Sequence, residues 1–382
     1  MVEPPRALLD ELTTALASTR TSALPTAALD VLRTDPAVTS ARIWLLDVAG
    51  DTLTDIQDPG SRVSVSDTAA GRAALDDSAM VTGDTALIPL SQRGHVLGIL
   101  EVCGADAASL VTRMSPVATL LAEDLIGSLN YGDSIERLRR SHELSVSATI
   151  QYTLLPLLGY RDETVELTGR LEPAYDVAGD LYDYAVNPEG VHIAMFDAVG
   201  HDLRSTTLSV ITAGAYRRGR RSGDPLATIA EEIDATIQSF DRDIDFVTGL
   251  VGRLELTTGR LDLWNAGHVD PLIVRDSKVL TLSPSQRCRP FGLGPLEGGV
   301  DTFDVEPGDL IAFFTDGVIE ARDRENLEWG MARLEEALIS LASTERALDH
   351  VAKAVLDRVV THVGSALSDD AALLLVRPAV SS

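Results

Sequence analysis

Four times beyond residue 175, an apolar run of strand length meets an aspartate at a turn. Asp180 opens DLYDYAV, Asp197 closes VHIAMFD, Asp316 lies at the end of DLIAFFTDG, and Asp369-Asp370 precede AALLLV. Charged groups are rarely buried without a partner. A fold that buries these strands must therefore bring their acidic ends to a place where something neutralises them. One such aspartate reads as a solvated turn residue, whereas four at equivalent junctions point to convergence. Basic residues are almost all arginine, with Lys278 and Lys353 the only lysines, and no histidine-rich or cysteine-rich cluster is present, so converging carboxylates are expected to repel one another unless cations neutralise them. Carboxylate oxygens favour magnesium, manganese or calcium over zinc. Asp241, Asp243 and Asp245 alternate like a calcium loop but lack its glycine and terminal glutamate, so they read as a charged turn.

At 382 residues the chain is long enough for two or three domains. Its 45% hydrophobic content indicates globular structure, and with only 4% aromatics the cores must rest on Leu, Val, Ile and Ala. A formal charge of −26 argues against general nucleic-acid binding, which needs clustered cations. No apolar run approaches a membrane span, and MVEPPRALLDEL has no basic region followed by an apolar one. Cys103 and Cys288 stand alone and read as reduced thiols, so a cytoplasmic protein is expected.

In the first 130 residues, Leu8, Leu9, Leu12, Ala15 and Leu16 have helical spacing, as do Ala27, Ala28, Val31 and Leu32. ARIWLLDV reads as a strand ending at Gly50-Asp51. TALIPL and HVLGILEV bracket a hairpin turn at residues 91–94, and a second long helix is expected from about Ser115. This order, with its GHVLGILEV strand, resembles a GAF domain, which implies a sensor of a small molecule or protein. His95 reads as an ordinary strand residue rather than a haem ligand. Residues 131–158 read as a helical connector with Ile135, Leu138, Leu144 and Ile150, interrupted near Asn130-Tyr131-Gly132-Asp133. Its spacing fits a parallel coiled coil between two chains, hence a homodimer, and equally an amphipathic helix docked on its own domain.

From Thr164 the pattern turns to strands. DLYDYAV and VHIAMF flank a turn at residues 187–190, helices are expected over 203–221, 225–240, 331–341 and 346–363, and further strands lie between them. Such strand runs with paired helices suggest packed sheets covered by helices.

VAGDLYD, FDAVGHD, FVTGLVGRLELTTGRLDLWNAGH, PFGLG, GDLIAFFTDGVIEAR and SDDAALLLV follow in order, preceded by ATIQYTLLPLL. Together they resemble the bacterial sporulation and stress-response branch of the PPM metal-dependent serine/threonine phosphatases. The resemblance implies an α+β domain built as an αββα sandwich over residues 159–382, after an α/β GAF-like domain over 1–130 and the connector. It also implies two Mn²⁺ or Mg²⁺ ions, bridged by Asp197, with the Ala198 carbonyl on one ion. Asp316 and Asp369 would complete the shell of the second ion, and Asp180 would act through bound water. A hydroxide between the ions would then attack a phosphoserine or phosphothreonine. The implied substrate is a phosphorylated anti-anti-sigma-type regulator, with the GAF-like domain in control.

Two departures from the pattern remove no ligand: Ala178 stands where a glycine is common, and Asp202 reads as a helix N-cap or an extra carboxylate. His201 and His268 are expected to shape turns and strand ends, Arg170 to be a surface residue or a phosphate contact, and Trp264 and Trp329 to pack. Two rival functions are a signalling scaffold with a degenerate phosphatase fold, against which the complete acid set counts, and a hydrolase of small phosphate esters.

Overall fold

The computed structural model describes residues 6–172, 179–200, 203–240, 246–343, 347–365 and 367–379. The chain divides into two units, Met1–Glu143 and Leu144–Ser382.

The first unit contains helices α1 (Arg6–Ser18) and α2 (Leu24–Leu32), then strands β1 (Ser40–Leu46), β2 (Thr52–Asp55) and β3 (Arg62–Ser64). Helix α3 (Ala69–Leu75), strands β4 (Met80–Thr82), β5 (Thr85–Gln92) and β6 (His95–Cys103), and helices α4 (Ala107–Ser128) and α5 (Ser134–Leu138) follow. The strands form one sheet in the order β3-β2-β1-β6-β5-β4. Gln92 pairs with His95, so the expected hairpin turns through Arg93 and Gly94. Leu12, Leu29, Ile43, Leu100 and Leu121 belong to a core between this sheet and the helices.

One expectation is corrected. Helix α4 begins at Ala107, not near Ser115, because the Asp106 carboxylate accepts a hydrogen bond from Ser109 N at 3.1 Å and caps it there. Pro116 lies inside this helix, where the sequence suggested a start. The connector is interrupted near residues 130–133 as expected, and a second time over residues 139–145. Helix α5 ends at Leu138, and Ile135 is buried in the core of its own unit with Leu138 packed against it. Beyond α5, Arg139 Nε donates to Leu46 O at 3.0 Å and Ser141 Oγ to Asp47 Oδ2 at 2.5 Å. These bonds hold the segment against β1, and of the two arrangements that the spacing allows, Ile135 and Leu138 take the one docked on their own domain.

The second unit opens with α6 (Val146–Leu154), β7 (Gly159–Arg161), β8 (Val165–Glu172), β9 (Asp180–Asn187) and β10 (Gly190–Ala198). Helices α7 (Leu203–Ser222) and α8 (Leu226–Phe240) precede β11 (Val247–Glu255), β12 (Arg260–Ala266), β13 (Leu272–Arg275), β14 (Lys278–Thr281), β15 (Asp301–Asp304) and β16 (Leu310–Phe314). The chain continues through α9 (Asp316–Glu320), α10 (Met331–Ala342), α11 (Leu348–Val363) and β17 (Ala371–Pro378). Two antiparallel sheets result, β15-β12-β11-β10-β9 and β14-β13-β16-β17-β8-β7.

Both faces of the central strands are buried, which explains why their sequences read as unbroken apolar runs. On β10, Ile193 and Met195 pack with Phe313 and Leu374 in a core between the sheets. The alternate residues Ala194 and Phe196 pack with Tyr216, Ile229 and Ile233 of α7 and α8. On the other sheet, Phe314 and Leu373 meet Leu338, Val351 and Val355 of α10 and α11. Helix, sheet, sheet and helix therefore stack in layers, each large side chain buried there contributing about 1.5–3 kcal/mol.

Candidate metal centre

The β9–β10 hairpin closes at Asn187 and Gly190, and its register places Asp180 directly opposite Asp197. Side chains alternate across a strand. Asp197 therefore shares the face of Ile193 and Met195, and Asp180 the face of Tyr182 and Tyr184, all of which look into the space between the sheets. Both acids thus stand at the open end of the sandwich core. Ala198 points the other way and packs with the α7–α8 core.

The second sheet supplies the opposing wall. Thr315, fully buried after β16, donates from Oγ1 to Asp180 Oδ2 at 2.5 Å and accepts from Ala372 N at 2.9 Å. Asp370 Oδ2 accepts from Gly179 N at 2.9 Å. Asp316 opens α9 and Asp369 lies just before β17. The approach of the backbones is close: a Cβ on Gly317 would lie 1.8 Å from Asp370 O, and one on Gly179 would lie 2.7 Å from Ala198 O. No side chain is accommodated at either glycine without movement of the backbone it faces.

Electrostatics follow from this crowding. Burial, then the charges of Asp197 and Asp370, raise the Asp180 pKa well above the usual carboxylate range, against the bond from Thr315. Burial, then Asp316, Asp369 and Asp370, push Asp197 up to about 7. Asp316 is raised by burial, Glu320 and Asp369. Each of these acids is destabilised as an anion by burial and by neighbouring carboxylates, the condition a cation relieves. The nearby acids offer oxygen ligands alone, which suits Mg²⁺ or Mn²⁺. Asp180 is buried, Asp197 and Asp316 are half-buried and Asp369 is exposed. Among the described residues, no three acidic, imidazole or thiol side chains are drawn together tightly enough to enclose one ion.

Several residues that hold this arrangement carry no signal in the acid pattern. Gln151 of α6, fully buried, donates from Nε2 to Asp180 O at 2.7 Å. Ser209 of α7 donates to Gly179 O. Thr315 was visible only as the neighbour of Asp316. The one hint of Gln151 is its spacing of three from Ala148, the other buried residue of its helix.

His268 does no proton work at the acids. Its Nε2–H donates to Phe314 O at 3.1 Å and its Nδ1 accepts from Thr248 Oγ1 at 2.8 Å, with burial pushing its pKa down to about 4. It ties β11 to the end of β16, as a strand-end residue should. Arg170 is neither a surface residue nor a phosphate contact. It is buried, and its Nε and terminal nitrogen form a bidentate pair with Asp349 at 2.9 and 2.8 Å. Trp264 and Trp329 are core residues. His201, Asp202, Ala178 and the acids at 241, 243 and 245 lie outside the described residues.

A model of the family described as Stage II sporulation protein E (SpoIIE) matches residues 187–379, half of the chain. The chain belongs to the SpoIIE family. The match spans Asp197, Asp316 and Asp369, while Asp180 lies seven residues before it. Two curated relatives align beyond it. Protein IcfG of Synechocystis is 23% identical over 298 residues, covering 70% of this chain and 45% of that protein. The phosphoserine phosphatase RsbU of Bacillus subtilis is 23% identical over 245 residues, covering 62% of this chain and 70% of that protein. This SpoIIE-family chain therefore spans less than half the length of IcfG.

Two solved structures share the architecture. The RsbU and RsbW domains of Rv1364c from Mycobacterium tuberculosis match with a TM-score of 0.51 at 22% identity, over 60% of this chain and 62% of that one. The SiaA-PP2C domain of Pseudomonas aeruginosa also gives 0.51, at 19% identity, over 60% of this chain and 94% of that one. The second unit thus has the PP2C-like phosphatase fold. Among the described residues, no helix is long and apolar enough to cross a membrane.

Proposed function

We propose that the second unit is a divalent-metal-dependent protein phosphatase that hydrolyses phosphoserine or phosphothreonine on a regulatory protein of the anti-anti-sigma type. The observation that carries this function is the cross-strand pair Asp180–Asp197, both raised in pKa by burial, with Asp197 and Asp370 acting on Asp180 and Asp316, Asp369 and Asp370 acting on Asp197. Asp197 and the Ala198 carbonyl would hold one ion, with Asp197 shared by a second ion that Asp316 and Asp369 complete. When bound, the two ions supply an activated water and neutralise charge on the phosphoryl oxygens. The chain's own contribution is to position ligands. Thr315 fixes one oxygen of Asp180, Asp370 holds the Gly179 backbone, and Gln151 fixes the Asp180 carbonyl. The phosphoserine phosphatase name of RsbU favours a phosphoserine substrate for this chain too.

The first unit acts in this proposal as a GAF-like sensor. Support comes from its six-stranded antiparallel sheet with the β5–β6 hairpin and flanking helices. Helix α6 is the first element after the division of the chain, and Gln151 ties it to the Asp180 backbone. A displacement of α6 would therefore be felt at the acids.

The test is purified protein with Mn²⁺, assayed on a phosphoserine protein and on an aryl phosphate. Turnover of both, abolished by Asp197→Asn, is expected. Cleavage of the aryl phosphate alone would make it a small-ester hydrolase, and no turnover of either would make it a scaffold.

A further inference from the structure

At the end of the five-stranded sheet remote from the acids, α7 and α8 stop short of the strands they cover. His192 lies five residues before Asp197 on β10, roughly 16 Å along the strand. On the helix-covered face, the register aligns His192 with Arg253 on β11, and Arg253 with Asp262 on β12. One step further along these strands, the row Ala194, Val251 and Trp264 is covered by α8. The row His192, Arg253 and Asp262 instead floors a cavity of about 440 Å³, walled by the α7–α8 turn at Asp224 and Pro225 and by Val300. That volume lies within the range of small-molecule sites.

The polar groups here are incompletely used. The His192 side chain is only 7% exposed, and its Nδ1 is buried without a hydrogen-bond partner. Its Nε2 faces Glu189 at 3.7 Å. Burial and the nearby Arg220 lower its pKa, so the ring is neutral and one nitrogen is an acceptor. Asp262 is held by Arg260 Nε at 2.8 Å and by Thr302 Oγ1 at 2.7 Å, leaving Arg253 at 3.9 Å with its side chain 45% exposed. Arg260, 55% exposed, lines the same cavity. The N-terminus of the fifteen-residue helix α8 opens onto it, adding backbone N–H groups and a partial positive charge. Asp224 and Asp262 supply acceptors beside these cations, which a ligand carrying hydroxyl donors as well as an anionic group can use.

We infer that this cavity is a second ligand site of the phosphatase unit, built for a small hydroxylated phosphate monoester of the sugar phosphate class. The phosphoryl group sits against Arg253, Arg260 and the first turn of α8. Hydroxyls of the ligand donate to Asp224 and to His192 Nδ1, and its carbon skeleton rests on Pro225 and Val300. An occupant of this kind bridges the α7–α8 turn to the sheet, fastening α7, whose Ser209 bonds the Gly179 carbonyl beside Asp180.

Isothermal titration of the full chain, without divalent metal, with glucose 6-phosphate tests this. Saturable binding is expected, weakened at least about tenfold by Arg253→Ala, a loss of the size a charge-assisted bond gives. Binding should be unchanged in Asp197→Asn, and addition of the ligand should shift the His192 imidazole resonances. Binding lost in Asp197→Asn but kept in Arg253→Ala would place the ligand at the acids and overturn the assignment. So would the absence of binding by the folded wild-type chain.

Discussion

Thr315 and Asp180 come from different sheets and share a 2.5 Å hydrogen bond across the end of the sandwich. The Thr315 hydroxyl also accepts from Ala372 N, so one side chain joins β9, β16 and β17 where the acids gather. Replacing it with the isosteric valine leaves a buried carboxyl and a buried N–H unpaired, which costs about 1–3 kcal/mol. Thr315→Val is expected to fold with a lowered Tm and to need more Mn²⁺ for half-maximal activity. Thermal melts and a metal titration check this, and an unaltered metal requirement would mean that Asp180 needs no such fixing.

The acid cluster makes a prediction about pH in the metal-free protein. Asp197 has a folded pKa near 7 against 3.8 for the ordinary side chain, and Asp180 is raised in the same sense. Between those values the folded state holds a proton that the unfolded state has released. Stability therefore falls as pH rises from about 4 to about 7, and the penalty is fully present above that. Asp197→Asn removes it, so the variant's gain in Tm over wild type in EDTA should be larger at pH 8 than at pH 5. Equal differences at both pH values would contradict the mutual repulsion.

Arg170 is expected to matter for stability and not for substrate. Breaking its buried pair with Asp349 by Arg170→Gln should cost roughly 3–5 kcal/mol, read as a lower denaturation midpoint. KM for a phosphoprotein at a temperature where the variant is folded should be unchanged. A raised KM with unchanged stability would restore Arg170 as a phosphate contact.

The contrast between these residues shows how much of the site was legible in the sequence. Asp180, Asp197, Asp316 and Asp369 stood out because an acid ending an apolar strand violates the usual burial pattern. The two-sheet core was legible because strands buried on both faces leave long apolar runs. Arg170 misled because a lone strand arginine looks alike whether it meets solvent or a partner 179 positions away. Thr315 and Gln151 were hidden for a related reason. Their importance lies in hydrogen bonds to Asp180 across 135 and 29 positions, and no local pattern records such distances. The start of α4 at Ala107 went unread because its capping acid, Asp106, lies outside the apolar spacing from Val117 to Ile126 that marked the helix.

Gln151 gives the regulatory proposal its handle. Gln151→Ala removes the bond to the Asp180 carbonyl while α6 keeps its Ser145 cap. The Mn²⁺ concentration for half-maximal activity should rise several-fold, with kcat at saturating metal nearly retained. Deleting residues 1–143 should also move the metal requirement, and the two changes combined should be less than additive if α6 carries the effect. Full additivity in this double comparison would separate α6 from the first unit's influence.

The central claim is that Asp197 is held at the end of a buried strand by divalent cations. The most direct measurement is calorimetric titration of Mn²⁺ into metal-free wild type and Asp197→Asn at pH 7.5. Two bound ions per chain are expected for wild type, and loss of at least one of them for a variant that remains folded by circular dichroism. Identical stoichiometry and affinity in the two proteins would contradict the claim.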